Sequence, residues 1–144
     1  MRYDVQRLFK MSQRELDALF SASEAGPVPK GQAEGTAIIA PGTVFSREIA
    51  SFIKTFAWKG KIFDPNAGRL TNRVGPLGFN TVSAKVYKGP SWVDGRECIV
   101  LDYSRTSIIA HAIRDEIRLI EPPGLYLGKS FWNKARLMDF ALQF

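Results

Sequence analysis

With 144 residues, 45% of them hydrophobic and 24% charged, the chain has the length and composition of one globular domain with its own core. No apolar run is long enough for a bilayer-spanning helix, and Met1-Arg2-Tyr3-Asp4-Val5-Gln6-Arg7 lacks the apolar stretch of a secretory leader. The formal charge of +6 is uneven: residues 1–35 balance, whereas residues 36–75 set six basic side chains (Arg47, Lys54, Lys59, Lys61, Arg69, Arg73) against Glu48 and Asp64.

The first element is a helix at about 13–22. Ser12-Gln13-Arg14-Glu15 is a capping box, Met11 and Leu16 occupy staple positions, and Leu16, Leu19 and Phe20 recur at helical spacing. Ala25-Gly26-Pro27-Val28-Pro29-Lys30-Gly31 stops it. Glu34 to Ala40 reads as a strand ended by Pro41-Gly42. Then Phe45, Ile49, Phe52, Ile53 and Phe56 return every three or four residues, which predicts an amphipathic helix over 45–56.

From there strands follow one another. Trp58 to Phe63 precedes the turn Asp64-Pro65-Asn66-Ala67-Gly68, and Arg69 to Val74 precedes Gly75-Pro76-Leu77-Gly78. Thr81 to Lys88 alternates, and the Asp94-Gly95 pair links it to Cys98–Tyr103 as a hairpin. Ile113 to Ile120 alternates, Pro122-Pro123-Gly124 turns into Leu125–Trp132, and Met138, Phe140, Leu142 and Phe144 mark a last strand. The expected count is eight strands, one helix before them and one between the first and second. We expect one domain over 1–144, with an N-terminal helix and loop (1–33) and a barrel (34–144).

Short strands separated by turns at short intervals predict a mainly β fold, an antiparallel β-barrel of about eight strands. The element order over 34–144 resembles the calycin-type barrels, the lipocalins and fatty-acid-binding proteins; in the latter a helical lid likewise follows the first strand. The lipocalin Gly-x-Trp signature is missing, since the first strand reads Glu34-Gly35-Thr36-Ala37-Ile38. Trp58-Lys59-Gly60-Lys61-Ile62-Phe63-Asp64 and Pro123-Gly124-Leu125-Tyr126-Leu127-Gly128 are similar to segments of uncharacterised bacterial proteins of this barrel type. A cone-shaped sheet of the nuclear-transport-factor type and a helix-grip fold are the alternatives. The alternating C-terminal segment speaks against the latter.

No catalytic, metal or phosphate-loop motif is present, and no cofactor is expected. His111 is the only histidine and has no cluster of ligating residues near it in sequence. Cys98 is the only cysteine; it reads as a buried structural thiol and agrees with a cytoplasmic location. Alternation through Ile113–Ile120 sends Arg114, Glu116 and Arg118 to one face, read as solvated, and carries Asp115 to the other with Ile113 and Ile117. If those isoleucines face inward, so does the carboxylate. Asp102 raises the same question, and Arg73 is a candidate interior cation. An interior Arg with a Tyr hydroxyl from Tyr87, Tyr103 or Tyr126 would hold a ligand carboxylate.

The leading expectation is a barrel that binds a small hydrophobic, perhaps anionic, fatty-acid-like ligand through Arg73, Asp102, Tyr103, Asp115 and Tyr126. The alternative is a small enzyme, an isomerase, cyclase or hydratase, using Asp102 or Asp115 as general acid or base. A filled barrel serving as an interaction module is the plainest reading. The sequence lacks the dense basic clusters and strand-borne stacking motifs of a nucleic-acid binder, so none is expected as partner. The basic stretch 45–61 would make at most a weak contact with an anionic membrane surface.

Overall fold

The computed structural model describes residues 2–38, 60–74, 79–105 and 111–144. Two helices come first, α1 (Val5–Phe9) and α2 (Gln13–Ala22), followed by the strands β1 (Gly31–Ile38), β2 (Gly60–Asp64), β3 (Arg69–Val74), β4 (Phe79–Pro90), β5 (Glu97–Asp102), β6 (Ile113–Glu121), β7 (Leu125–Trp132) and β8 (Ala135–Gln143). The α2 capping box forms as its sequence dictates: Ser12 Oγ accepts from Glu15 N, and Glu15 Oε1 accepts from Ser12 N. The shorter α1 escaped periodicity because it is little more than one turn. Asp4 caps it by accepting from Arg7 N.

The strands run antiparallel and in chain order around a closed barrel of eight. Closure divides β1. Its first half pairs with β2 (Gly31↔Phe63 to Glu34↔Gly60), and its second half pairs with β8 (Glu34↔Gln143 to Ile38↔Asp139). No strand edge is left open along the described ladder, and the apolar C-terminal strand finds the partner it needs. The backbones of β1 and β2 come so close at Gly60 (φ +149°) that a Cβ there would lie 2.1 Å from the Ala33 carbonyl oxygen. Glycine is therefore required at that crossing. β1 starts at Gly31, so the division expected between residues 33 and 34 falls inside a strand. The helix expected over 45–56, and Trp58, lie outside the described residues. Among those described, no helix is long and apolar enough to cross a membrane.

Alternation builds two cores. Inward go Phe63, Leu70, Ala84, Val86, Ile99, Leu101, Ile113, Ile117, Phe140 and Leu142. Outward go Ile38, Cys98, Val100, Leu125, Leu127 and Ala141, which pack under Leu8 of α1 and Leu16 and Phe20 of α2. The helices thus lie on the outer wall and not in the barrel. The chain between α2 and β1 crosses the end where β6 turns into β7. There Leu119 N donates to Ala25 O at 3.2 Å, and Ala25 and Val28 join the inner core.

The outward face of β6 departs from expectation. Glu116 and Arg118 are fully buried rather than solvated. Arg118 stacks on Phe20 of α2 at 4.4 Å and forms a paired salt bridge with Asp94 of the β4–β5 connection, which folds back over β6. Glu116 accepts from Ser91 Oγ and Trp92 N. Elements remote in sequence cover this face, so a charged strand pattern becomes an interior one.

Candidate functional site: a polar network inside the barrel

Among the described residues, five polar side chains meet within a largely apolar interior: Lys61 (β2), Asn72 (β3), Tyr103 (just after β5), Asp115 (β6) and Ser130 (β7). Each is placed by strand alternation two residues from an inward apolar neighbour or a close relative of one. Phe63 sets Lys61, Leu70 sets Asn72, Leu101 sets Tyr103, and Ile113 and Ile117 set Asp115. Ser130 follows Tyr126 and Gly128 along β7. All lie toward the barrel end bounded by Ile38, Gly60, Val74, Phe79, Asp102, Ile113, Trp132 and Ala135.

Lys61 Nζ donates to Asn72 Oδ1 and to Tyr103 OH, each at 2.7 Å. Asn72 Nδ2 donates to the same phenol oxygen at 2.8 Å and to the Val82 carbonyl, also at 2.8 Å. Val82 is the bulged residue of β4, with φ +55°, where a β-branched side chain is strained. The bulge turns its carbonyl to meet Asn72. Asp115 Oδ2 lies 3.2 Å from Lys61 Nζ and accepts from Tyr103 OH at 3.4 Å. Ser130 Oγ donates to Asp115 Oδ1 in a short bond. The ammonium also sits 5.4 Å from the Tyr103 ring centroid and 5.5 Å from that of Phe140.

Burial opposes the Lys61 charge, but Tyr103 and Asp115 beside it outweigh that penalty and hold its pKa above the ordinary lysine value. Burial, with the Asp115 carboxylate adding to it, raises the Tyr103 pKa against the pull of Lys61. The site is thus a buried Lys61–Asp115 ion pair with the Tyr103 hydroxyl hydrogen-bonded to both partners. These residues keep 3–5% of their surface accessible, whereas Ile99, Leu101, Ile117 and Leu142 keep none. The opposite end is covered by Val28, Leu119 and Phe144, which are partly buried against the inner core.

Of the residues expected from sequence, Tyr103 and Asp115 are in this network. Arg73 alternates with Asn72 and lies on the outer face of β3, so Lys61 and not Arg73 is the interior cation. Asp102 likewise alternates with Tyr103 and faces outward. It accepts from Tyr87 OH at 3.3 Å and Ser104 N at 2.9 Å; burial works to raise its pKa, but these bonds prevail and lower it. Tyr126 is interior but at the opposite end, where its hydroxyl donates to Pro27 O at 2.7 Å and its ring meets Phe144 edge-on. It anchors the floor.

Cys98 is buried beneath the helices, and burial, with Glu116 nearby, pushes its thiol up to about 12. His111 is exposed before β6. Among the described residues, no three His, Cys, Asp or Glu side chains gather as metal ligands. Lys61, although within the basic stretch 45–61, spends its charge inside the barrel and adds nothing to an outward basic surface. No protein-family model, curated protein or solved structure matches this chain.

Proposed function

We propose that the chain is a calycin-like ligand-binding barrel. It takes a small, largely apolar molecule whose polar head group docks at Lys61, Tyr103 and Asp115. The observation that carries this reading is the buried ion pair and its hydrogen-bonded partners in an interior otherwise built of apolar side chains. Buried ion pairs are weak sources of stability, and an apolar pair of similar volume often does as well or better. The strained Val82, whose carbonyl is bonded to Asn72, adds weight, because such strain gathers at functional sites.

The fully buried floor restricts the ligand. A fatty-acid-like tail running the length of the barrel would have to displace Phe140, Leu142 and Ile117, so a compact ligand at the polar end fits better. A reducing, cytoplasmic compartment suits the single buried thiol of Cys98.

Native mass spectrometry of the protein, compared with its denatured mass, is the test. A reproducible extra mass lost on denaturation is expected, and it should be absent from a folded Lys61→Met/Asp115→Leu double variant. Equal retention of that mass by the double variant would remove the network from ligand binding. A bare wild-type chain that no apolar molecule stabilises thermally would leave a filled barrel.

A second reading has one specific observation behind it. Asp115 lies beside a lysine and a tyrosine inside the barrel, an arrangement suited to general acid–base catalysis, whereas Asp102 is on the outer wall. Asp115→Asn would then keep the bound mass and lose turnover; unchanged turnover would dismiss it.

A further inference from the structure

The interior network consists of two tight groups loosely joined. In one, Lys61, Asn72 and Tyr103 are bonded to each other at 2.7–2.8 Å. In the other, Ser130 is bonded to Asp115 Oδ1. Among the described residues Asp115 Oδ2 bridges them, 3.2 Å from the ammonium and 3.4 Å from the phenol. Charge-assisted N–H···O bonds normally close to about 2.7–2.9 Å, and O–H···O⁻ bonds to about 2.5–2.7 Å, so both contacts across this seam are long. The phenol proton has a fixed address. Its oxygen already accepts from Lys61 and Asn72, which leaves Asp115 Oδ2 as the acceptor for its own hydrogen.

We propose that the ligand's head group enters at this seam and that it is a neutral hydroxyl. One oxygen there accepts from Tyr103 OH and from Lys61 Nζ through its two lone pairs and donates its proton to Asp115 Oδ2, replacing the two long contacts by bonds of normal length. The proposal rests on the ligand-binding reading above and specifies which ligand chemistry the site selects.

Charge and valence both point this way. The site already holds one ammonium against one carboxylate. Among the described residues Lys61 is the cation of this network, so a ligand carboxylate would bring a second negative charge beside Asp115 against that one ammonium, in a setting where unpaired charge is costly. A ligand amine would do the reverse to Lys61. A ketone accepts from Lys61 but offers Asp115 Oδ2 no proton while separating it from its donors. An alcohol alone leaves every group satisfied and the net charge unchanged.

The test is a matched set of probes on the full chain near neutral pH: 2-naphthol, 2-acetonaphthone, 2-naphthoate and naphthalene, measured by titration calorimetry. The naphthol is expected to bind at least about tenfold more tightly than the ketone or the carboxylate, the size of effect left by one buried group without its hydrogen-bond partner. The Lys61→Met/Asp115→Leu variant should reduce the preference for naphthol over naphthalene to near unity. Should that variant fail to fold, the ranking on the wild type decides alone. Naphthoate binding as tightly as naphthol, or naphthol no better than naphthalene, would overturn the hydroxyl assignment and leave the ligand-binding reading standing. Binding of none of the four would overturn both.

Discussion

Arg118 offers a quantitative test of how the outer layer is attached to the barrel. It projects from β6 with no exposed surface, its guanidinium stacked on Phe20, and it donates to Asp94 through Nη1 and Nη2 at 2.7 Å each. Its remaining bonds go to the carbonyls of Phe20 at 2.9 Å, Glu97 at 3.1 Å and Arg96 at 3.2 Å. Asp94→Asn keeps the shape and removes the charge. The Arg118 hydrogen bonds hold the Asp94 carboxyl down at about 2, against an ordinary 3.8, despite partial burial. At about 1.36 kcal/mol per unit, that difference is worth about 2 kcal/mol. Removing one partner of a buried pair costs about 3–5 kcal/mol, and the retained carbonyls place this case at the lower end.

Asp94→Asn should therefore lose about 2–3 kcal/mol in urea unfolding near neutral pH. The pH dependence has a definite sign. The folded carboxyl titrates below the unfolded one, so the contribution is complete above the unfolded value of 3.8 and is lost as pH falls through about 2. The gap between wild type and variant should close over that window. A gap under about 1 kcal/mol near neutral pH, or one that persists unchanged to about pH 2, would refute the argument that this ion pair clamps α2 and the β4–β5 connection to the wall.

Three further outcomes follow from the packing. A Cβ on Gly128 would lie 2.2–2.4 Å from the Phe140 ring, so Gly128→Ala should cost about 1–3 kcal/mol in denaturant unfolding, partly recovered by Phe140→Leu; strictly additive losses would count against that contact. Cys98, buried and shifted to about 12, should not react with a disulfide reagent near pH 8 in the native chain and should react once urea is added. Burial works to raise the Asp17 carboxyl, but Arg136 and Lys129 overcome it and hold it at about 2. Carbon-detected NMR should find that midpoint, moved upward in Arg136→Ala; a wild-type midpoint near 3.8 would break the assignment.

The barrel was legible because alternation is a local property. Ile113, Ile117 and the charges between them place Asp115 inside without any knowledge of what lies around it. The same rule, applied strictly, separates residues that were grouped together. Asp102 and Tyr103 are neighbours and cannot both face inward, and Leu101 decides for Tyr103. Arg73 attracted notice as a cation, yet Leu70 assigns the inward position to Asn72. Lys61 was concealed by its basic surroundings, although Phe63 two residues on gives it the same facing. No local pattern announces the pairing of Lys61 with Asp115, or the burial of Glu116 and Arg118 beneath a hairpin and a helix. Those depend on barrel closure and on α2 folding back, which are tertiary facts.

The buried charges of the two layers differ in what they accomplish, and the difference favours a ligand. On the outer wall each has an attachment to make. Arg118 and Lys129 hold α2 through the Phe20 carbonyl and Asp17, and Glu116 holds the β4–β5 connection through Ser91 and Trp92. Without those pairs, the helices and the hairpin would rest on apolar contact and on less buried bonds such as Tyr3 N to Glu121 Oε1 and Arg96 to the Ser21 carbonyl. Inside, Lys61 and Asp115 sit on β2 and β6, strands already secured by both neighbours in a closed ladder. Among the described residues the interior pair fastens no element outside that ladder, and an apolar pair could fill the same volume without desolvating two charges. On the proposed reading, its cost, together with the positive φ of Val82 beside it, is offset by a head group that exchanges hydrogen bonds with these residues.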